Sequence, residues 1–496
     1  MVYSNTENEV DRRPTAIDLD FFAVIVIFLH SNRQVLLETL RGICYNTSEM
    51  NFFAVFGENI NWRFAMQIER SVYLNKLIVR KHNGFVKVIT GIRRCGKSYL
   101  LNTLFYQHLI DSGVEDSHII RFAFDSAQNL MLIGEDLAEI DKSNRKVDPA
   151  KFMAFINEKM LDGGMYYLLL DEVQNLGSFE SVLNGYLRQD NVDVYVTGSN
   201  SKFLSSDIIT EFAGRGDEVH VLPLSFSEFF SVYDGAKEEA FDDYMVYGGL
   251  PSVALMQTEE QKTSYLTTQI TNVYLRDIVK RYNLQSDEDI GELLDIIASG
   301  ISTLVNPKKL ADSFKSIKGS TISEVTVAKY IGHMMESFLI SKAKRYDVKG
   351  KRYIGTPFKV YFEDIGLRNA RLDFRQIEPS HIMENIIYNE LRYRGYNVDV
   401  GVVEIREKNA EGKEQRKQLE IDFIANQGSR RYYIQSAYEI PSADKWEQET
   451  KSFDRANDSF KKIIVVERTM KPRRDEKGYV TMGIKEFLLN DNSLEL

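Results

Sequence analysis

The segment 91–98, with the sequence GIRRCGKS, restricts the fold of this chain more than any other feature. It follows the apolar run 85–90 and precedes the helix-like segment 99–105, so the pattern G-x-x-x-x-G-K-S lies between a predicted strand and a predicted helix. In such a loop the glycines let backbone N–H groups face phosphate oxygens, and the following helix adds the positive end of its dipole. The sequence therefore predicts a loop that binds the phosphates of a nucleotide.

The side chains of this loop have separate expected roles in binding ATP and Mg²⁺. Lys97 is expected to neutralise the β and γ phosphate oxygens and to assist catalysis, and Ser98 is expected to bind Mg²⁺. Cys95 lies among N–H groups near Lys97, so we expect a lowered thiol pKa, unless it is only a small residue tolerated there. The loop residues predicted to contact the nucleotide are Gly91, Arg94, Cys95, Gly96, Lys97, Ser98 and Tyr99.

Length and composition predict a globular cytoplasmic protein. A chain of 496 residues is long enough for about three domains. Its 62 Lys and Arg residues against 72 Asp and Glu residues give a net charge of −10, which disfavours nonspecific nucleic-acid binding but allows a local basic face. The two cysteines are Cys44 and Cys95, and because one lies in the phosphate loop we expect neither a structural disulfide nor a zinc site.

The amino-terminal segment 1–65 has no clear relation to the sequence that follows. Its apolar run 21–29 is well short of the roughly 20 residues of a membrane helix, and the acidic residues before it do not suit a secretion signal. We therefore expect no membrane segment. The interpretation is a dispensable extension or a mis-start before Met66, and the alternative is a β-rich accessory segment packed on the nucleotide-binding domain.

A second motif supplies candidate catalytic carboxylates. The apolar run 165–170 is typical of a fully buried parallel strand, and it ends in Asp171 and Glu172. Asp171 is expected to bind Mg²⁺ directly or through water, and Glu172 is expected to accept a proton from the attacking water. The alternative is an ordinary solvated loop.

Two further residues are weaker candidates for catalysis. The predicted strand 193–197 runs into a polar segment in which Asn200, or else Ser199, could orient water, although polar residues also simply begin loops. Arg215 has a glycine on each side and precedes the predicted strand 218–222. It could stabilise transition-state charge, in cis or in trans, or it could form a structural salt bridge.

The order of elements predicts an α/β fold with a P-loop NTPase core. Helical stretches separate the predicted strands, and this alternation is typical of a parallel sheet with helices on both faces and ligand at the carboxyl ends of the strands. The predicted strands lie near residues 85–90, 118–125, 165–171, 193–198 and 218–223.

Several motifs together resemble a bacterial and archaeal family of AAA-type ATPases related to the STAND signalling ATPases. They are GIRRCGKSYLL, LLLDEVQ, TGSNS, AGRG, PLSFSEF at 223–229 and YGGLP at 247–251. The resemblance covers about residues 68–490 and implies an AAA-type ATPase domain at 66–250. It also implies that Pro251 lies near the adenine base, whereas the residues alone indicate only a rigid turn.

Residues 251–365 are predicted to form a helical linker and a winged-helix domain. Helices are predicted at 287–298, 307–314 and 323–338, and two strands with a basic tip follow at 341–352. The tip could contact DNA phosphates, but winged helices also dock proteins, so both kinds of partner remain open. The positive charges of this segment are Lys342, Lys344, Arg345, Lys349, Lys351 and Arg352.

Residues 366–496 resemble the PD-(D/E)xK nuclease fold, an α/β restriction-endonuclease-like domain. The order is a helix with Glu384, a strand with Asp422 and a strand with Gln435 and Ala437. Active members carry an acidic residue and a lysine at the last two places, because metal-assisted cleavage uses clustered carboxylates and a cation. We therefore expect a degenerate nuclease site that does not cut. The alternative is that Glu384 and Asp422 still bind a metal weakly and that Lys445 substitutes spatially for the missing lysine.

The leading functional hypothesis is a Mg²⁺-dependent regulatory ATPase whose nucleotide state is transmitted to the carboxyl-terminal module. That module would bind DNA or a protein partner, and the oligomeric state stays open. One alternative is a DNA nuclease gated by ATP. Another is a scaffold that binds nucleotide without hydrolysing it.

Overall fold

The computed structural model of the chain describes residues 68–143, 145–198, 214–284, 287–318, 322–408 and 413–496. The predicted extension 1–65 and the candidates Ser199 and Asn200 lie outside these ranges. Ile68–Leu496 forms one compact unit. Over the described ranges, each helix is too short or too polar to cross a membrane.

A parallel five-stranded sheet forms the first half of the described chain, with the order β2-β3-β4-β1-β5. Three strands, β1, β3 and β4, are buried along their whole length, which explains their nearly continuous apolar sequences. The predicted parallel α/β core is confirmed. The strands are β1 (Val86–Thr90), β2 (Ile119–Ala123), β3 (Tyr166–Asp171), β4 (Val192–Thr197) and β5 (Gly216–His220).

Helices cover both faces of this sheet. Alternate strand residues contribute to two separate hydrophobic clusters; for example, Leu169 belongs to one cluster and Leu168 to the other. The helices are α1 (Ser71–Ile78), α2 (Lys97–Tyr99, a π-helical Leu100–Phe105 and Tyr106–Asp111), α3 (Ala127–Leu132), α4 (Leu137–Ser143), α5 (Pro149–Lys159), α6 (Phe179–Tyr186), α7 (Phe226–Val232), α8 (Ala240–Tyr247) and α9 (Pro251–Ala254).

The helices of the carboxyl-terminal half include three at the places predicted for the winged helix. They are α10 (Glu259–Thr268, a π-helical Gln269–Leu275 and Arg276–Tyr282), α11 (Asp287–Ser299), α12 (Pro307–Lys318), α13 (Glu324–Glu336), α14 (Ile365–Arg371), α15 (Pro379–Tyr393), α16 (Ala443–Ala456) and α17 (Ile484–Leu489). Helices α11, α12 and α13 occupy the three predicted positions. Pro307 opens α12, as its fixed φ favours at a first helical residue.

The carboxyl-terminal strands form one nine-stranded sheet with the order β13-β14-β12-β11-β10-β9-β7-β8-β6. The two strands of the predicted wing, β7 and β8, therefore lie inside a larger sheet, because residues 345–347 of β7 pair in parallel with residues 400–402 of β9. The division into domains at residue 365 stays a prediction. The strands are β6 (Leu304–Val305), β7 (Ile340–Asp347), β8 (Arg352–Phe362), β9 (Asn397–Lys408), β10 (Glu414–Gln427), β11 (Arg430–Ala437), β12 (Lys461–Val466), β13 (Arg473–Arg474) and β14 (Val480–Gly483).

Candidate functional site

The phosphate loop joins the carboxyl end of β1 to the first turn of α2. Gly91 has φ +139°, and a Cβ there would lie 2.1 Å from the carbonyl oxygen of Val221, so a side chain cannot be accommodated. Gly96 has φ +98°, which also favours glycine. The buried ammonium of Lys97 donates to the carbonyl oxygens of Gly91 and Ile92, each at 3.0 Å. The lysine is therefore held by neutral oxygens of the same loop.

The two predicted Mg²⁺ ligands lie close to each other. The hydroxyl of Ser98 is near enough to the carboxylate of Asp171, at the end of β3, to lower its pKa. Burial raises the pKa of Asp171, and the hydroxyls of Thr197 and Ser98 oppose that shift. A hydroxyl and a carboxylate are the oxygen ligands that Mg²⁺ uses beside substrate phosphates, so the residues present fit this ion.

Thr197, the last residue of β4, is a site residue that sequence reasoning missed. Its hydroxyl donates to Oδ1 of Asp171 and accepts from the backbone N–H of Glu172 at 3.1 Å. A polar residue at the carboxyl end of the strand next to β3 was the available signal. Glu172 has φ 51°, and its carboxylate accepts a hydrogen bond from Gln174.

A third carboxylate lies at the same edge of the sheet. Asp125 follows β2, and its pKa is raised by partial burial and then by the charges of Glu172 and Asp171. The site therefore concentrates negative charge close to the phosphate loop, where a cation would relieve the repulsion.

The expectation of a lowered pKa for Cys95 is wrong. The side chain is fully buried, and burial raises the thiol pKa more than Lys97 and Arg70 lower it. Proximity to N–H groups did not outweigh the loss of solvent around the thiolate.

Arg215 lies at the amino ends of the strands, whereas the phosphate loop lies at their carboxyl ends. Its carbonyl oxygen accepts from the N–H of Val86, the first residue of β1. Five residues of β5, about 16 Å of strand, separate it from the end that carries the site. It therefore does not reach the phosphates of the same chain, and a role in trans stays a prediction.

The turn that contains Pro251 reaches the phosphate loop. A Cβ on Gly96 would lie 3.7 Å from Cγ of Pro251. The loop is also held from α10, because the hydroxyl of Tyr274 donates to the carbonyl of Arg93 at 2.7 Å. Next to it, the exposed Arg94 donates to Tyr265 at 3.4 Å, while Tyr99 is half-buried in the first turn of α2.

Comparison with known proteins places this geometry in a family. Residues 83–230 match the AAA domain, and residues 238–378 match a domain of unknown function. An uncharacterized protein of Haemophilus influenzae is 31% identical over 404 residues, which cover 80% of this chain and 93% of that protein. The chain belongs to the same family as this protein. The uncharacterized protein MJ1544 of Methanocaldococcus jannaschii is 26% identical over 441 residues, covering 86% and 89% of the two chains.

A solved structure resembles part of the chain more distantly. The ORC2 protein of Aeropyrum pernix, in ADPNP-ADP complexes, is 14% identical with a TM-score of 0.33, over 55% of this chain and 86% of that one. The fold assignment therefore depends on the sheet order of this chain and on its AAA domain match.

A buried carboxylate connects the edge of the AAA domain to the carboxyl-terminal half. Glu363 accepts from Nε2 of His220 at 3.1 Å and from Arg392 on α15 at 2.8 Å. Burial opposes its ionisation, but Arg392 and His220 together lower the pKa of Glu363 to about 2. Nδ1 of His220 lies 3.1 Å from the hydroxyl of Thr90, the residue before the phosphate loop. A hydrogen-bonded chain thus runs from β1 to α15.

The next residue, Asp364, holds the turn that carries Pro251. Its carboxylate accepts from the N–H of Gly249 at 2.8 Å and from the N–H of Leu367 in α14 at 3.0 Å. Burial raises the pKa of Asp364 to about 6, and these backbone donors limit the shift. A Cβ on Gly248 would lie 2.5 Å from the N–H nitrogen of Gly366, so the turn and α14 fit closely.

The three residues of the predicted degenerate nuclease site come together in the second sheet. The N–H of Asp422 donates to the side-chain oxygen of Gln435 at 3.5 Å, and the antiparallel register of β10 with β11, in which Phe423 pairs with Ile434, places the two residues opposite each other. Glu384 on α15 faces the same group, since its charge is among the causes that raise the pKa of Asp422. The structure thus groups all three.

The lysine at this second site is Lys359 of β8, not Lys445. The ammonium of Lys445 lies 2.6 Å from Glu449, which in turn accepts from Gln435 at 3.1 Å, so Lys445 stays at the rim. The ammonium of Lys359 lies 2.8 Å from Glu384. Sequence reasoning missed Lys359 because it lies in the segment 251–365 predicted as the winged-helix domain, before the nuclease-like segment begins.

Proposed function

We propose that this protein binds ATP with Mg²⁺, hydrolyses it, and transmits its nucleotide state to the carboxyl-terminal half. The observation that carries the proposal is that Ser98 and Asp171 lie close together beside Lys97, at the carboxyl edge of the AAA sheet. These are the residue types that hold a metal-bound triphosphate, in the positions that such a fold provides.

Each residue of the site has a distinct proposed task. Ser98 and Asp171 would hold Mg²⁺, which when bound supplies positive charge beside the phosphates. Lys97 exchanges the carbonyl oxygens of Gly91 and Ile92 for phosphate oxygens. Glu172 takes a proton from the attacking water, and its placement is supported by the hydrogen bond from its N–H to Thr197.

The path from the nucleotide to the carboxyl-terminal half is proposed to run through Glu363 and Asp364. The first is connected to β1 through His220, and the second holds Gly249 in the turn next to the phosphate loop. A shift of either the loop or the turn would break hydrogen bonds that are buried, which couples both to α14 and α15.

We propose a protein in preference to DNA as the partner of the carboxyl-terminal half. The exposed residues of α13, the third helix of the predicted winged helix, include Glu324, Val325, Lys329 and Glu336, so this surface is not basic. Of the six positive residues of the predicted wing, one, Arg345, is buried and donates to Gln418 at 2.7 Å, which removes it from a phosphate-binding surface.

Calorimetry with ATP and Mg²⁺, together with phosphate release at several protein concentrations, tests the proposal. Wild type should bind and turn over ATP, and Glu172→Gln should retain binding and lose turnover. Equal turnover by Glu172→Gln would refute the assignment of the base. Binding without turnover in wild type would support the scaffold alternative, and strong stimulation by DNA would favour DNA as the partner.

A further inference from the structure

A lysine occupies the centre of the carboxylate cluster in the second sheet. The side chain of Lys359 is only 5% exposed, and its ammonium lies 2.8 Å from Oε1 of Glu384, 2.7 Å from Oε1 of Glu420 and 3.9 Å from Oδ1 of Asp422. The hydroxyl of Tyr361 donates to the same oxygen of Glu384 at 2.7 Å. These contacts join three elements, β8, α15 and β10, so the fold itself places the ammonium there.

The charges of this cluster depend on one another. Burial alone would lower the pKa of Lys359, but Glu384, Asp422 and Glu420 together raise it above the ordinary value of a lysine. The pKa of Asp422 is raised by burial and by the neighbouring Glu384. The ammonium is therefore charged at neutral pH, and it compensates carboxylates that would otherwise be buried without a cation.

The three carboxylates of the cluster are not arranged as a metal site. Across the described residues, no group of three or more His, Cys, Asp or Glu side chains is arranged to hold a metal ion. The amide of Gln435 is used in bonds with Asp422 and Glu449, and Ala437 supplies no ligand. The cation that these carboxylates contact is the chain's own ammonium.

We propose that Lys359 is the permanent cation of this cluster and closes it to divalent metal. The ammonium stands where metal-assisted cleavage would require a metal ion, and a divalent cation cannot share the same carboxylate oxygens without strong repulsion. The nuclease-like region is then held together by the interaction that prevents it from cutting. This inference is independent of ATP binding, so either can fail without the other.

Titration of the nucleotide-free full chain with MnCl₂, read by calorimetry and by the EPR signal of free Mn²⁺, tests the inference. Wild type and Asp422→Asn should bind the same amount of Mn²⁺. Lys359→Met should bind one further equivalent of Mn²⁺. Its affinity for Mn²⁺ at this cluster should be at least about tenfold higher than that of wild type. Adding Asp422→Asn to Lys359→Met should abolish that equivalent. The matched control Lys445→Met should behave as wild type, because its ammonium contacts Glu449 at the rim.

A second variant guards against loss of folding. Lys359→Met with Glu420→Gln removes one positive and one negative charge, so the net charge of the cluster is unchanged while Glu384 and Asp422 remain. Three results would overturn the inference: wild-type Mn²⁺ binding that Asp422→Asn abolishes, a folded Lys359→Met chain with no further Mn²⁺, or metal-dependent plasmid cleavage by wild type that Lys359→Met abolishes. The last would make Lys359 a catalytic lysine. If both Lys359 variants unfold, equal Mn²⁺ binding by wild type and Asp422→Asn still supports the inference.

Discussion

Two of the buried lysines, Lys97 in the phosphate loop and Lys359 in the second sheet, are held by different kinds of oxygen. Lys97 donates to two neutral carbonyl oxygens of the phosphate loop, whereas Lys359 lies among the carboxylates of Glu384, Glu420 and Asp422. Neutral oxygens compete weakly with an incoming phosphate, while carboxylates already satisfy the charge of the ammonium. The comparison teaches that the partners of a buried lysine decide whether it is available to a ligand.

The largest expected effect is on ATP turnover. Lys97→Ala should reduce turnover about a thousandfold, because it removes a positive charge that faces developing negative charge. Phosphate release measures this, with Lys159→Ala on α5 as the control at an exposed lysine. Lys359→Ala should leave turnover within a few-fold of wild type. An equal loss in both would mean that the two lysines do not differ as we propose.

The next largest effect is on stability. Here Lys359→Ala should have the larger effect and Lys97→Ala the smaller one. Lys359→Ala should lower the free energy of unfolding by about 3 kcal/mol, because it leaves buried carboxylates without a cation. This is the low end of the expected range, since Glu420 is 34% exposed. Lys97→Ala should cost less, because the carbonyls it leaves are neutral. Urea unfolding of the two variants side by side measures both, and a larger cost for Lys97→Ala would contradict the comparison.

The third prediction concerns Glu363, a buried carboxylate that binds His220 at the edge of the AAA domain and Arg392 in the carboxyl-terminal half. Its pKa of about 2 lies below the ordinary 4.5, so its stabilising contribution is complete above pH 4.5 and is lost as pH falls towards 2. Glu363→Gln should lower the free energy of unfolding by about 2 kcal/mol at pH 7 and remove part of the acid dependence between those two values. Unfolding at several pH values measures this. A wild-type pH profile that Glu363→Gln leaves unchanged would show that this carboxylate is not the cause.

The smallest expected effect concerns Thr197. Thr197→Val should lower turnover about tenfold with little change in ATP affinity. The hydroxyl orients Asp171 and Glu172, and both of these residues remain in the variant. Thr197→Ser keeps the hydroxyl and should retain most of the activity. If Thr197→Ser is as slow as Thr197→Val, the methyl group and not the hydroxyl is the important part.

The sequence was sufficient for features that depend on neighbouring residues. The phosphate loop, the buried strands and the pair Asp171 and Glu172 follow from patterns of a few residues each, and the structure places them together. The position of Arg215 could also have been predicted from the sequence. A residue that precedes a parallel strand lies at the amino end of that strand, away from the ligand.

Other features depend on pairings between distant segments, which single-sequence patterns do not contain. Lys359 reaches Glu384 because β8, β7, β9 and β10 are neighbours in one sheet. Glu363 meets His220 because the end of β8 lies against the end of β5. The choice between Lys359 and Lys445 required the strand order, as did the discovery that the expected wing is part of the larger sheet.

The parallel pairing of β7 with β9 has a consequence while the chain is being synthesised. When only the residues up to about 365 have been made, β7 has an unpaired side whose backbone N–H and C=O groups can pair with another chain. The nascent protein is therefore exposed to intermolecular strand pairing until β9 emerges. Any shortened form that ends before β9 should be prone to aggregate, however intact its phosphate loop.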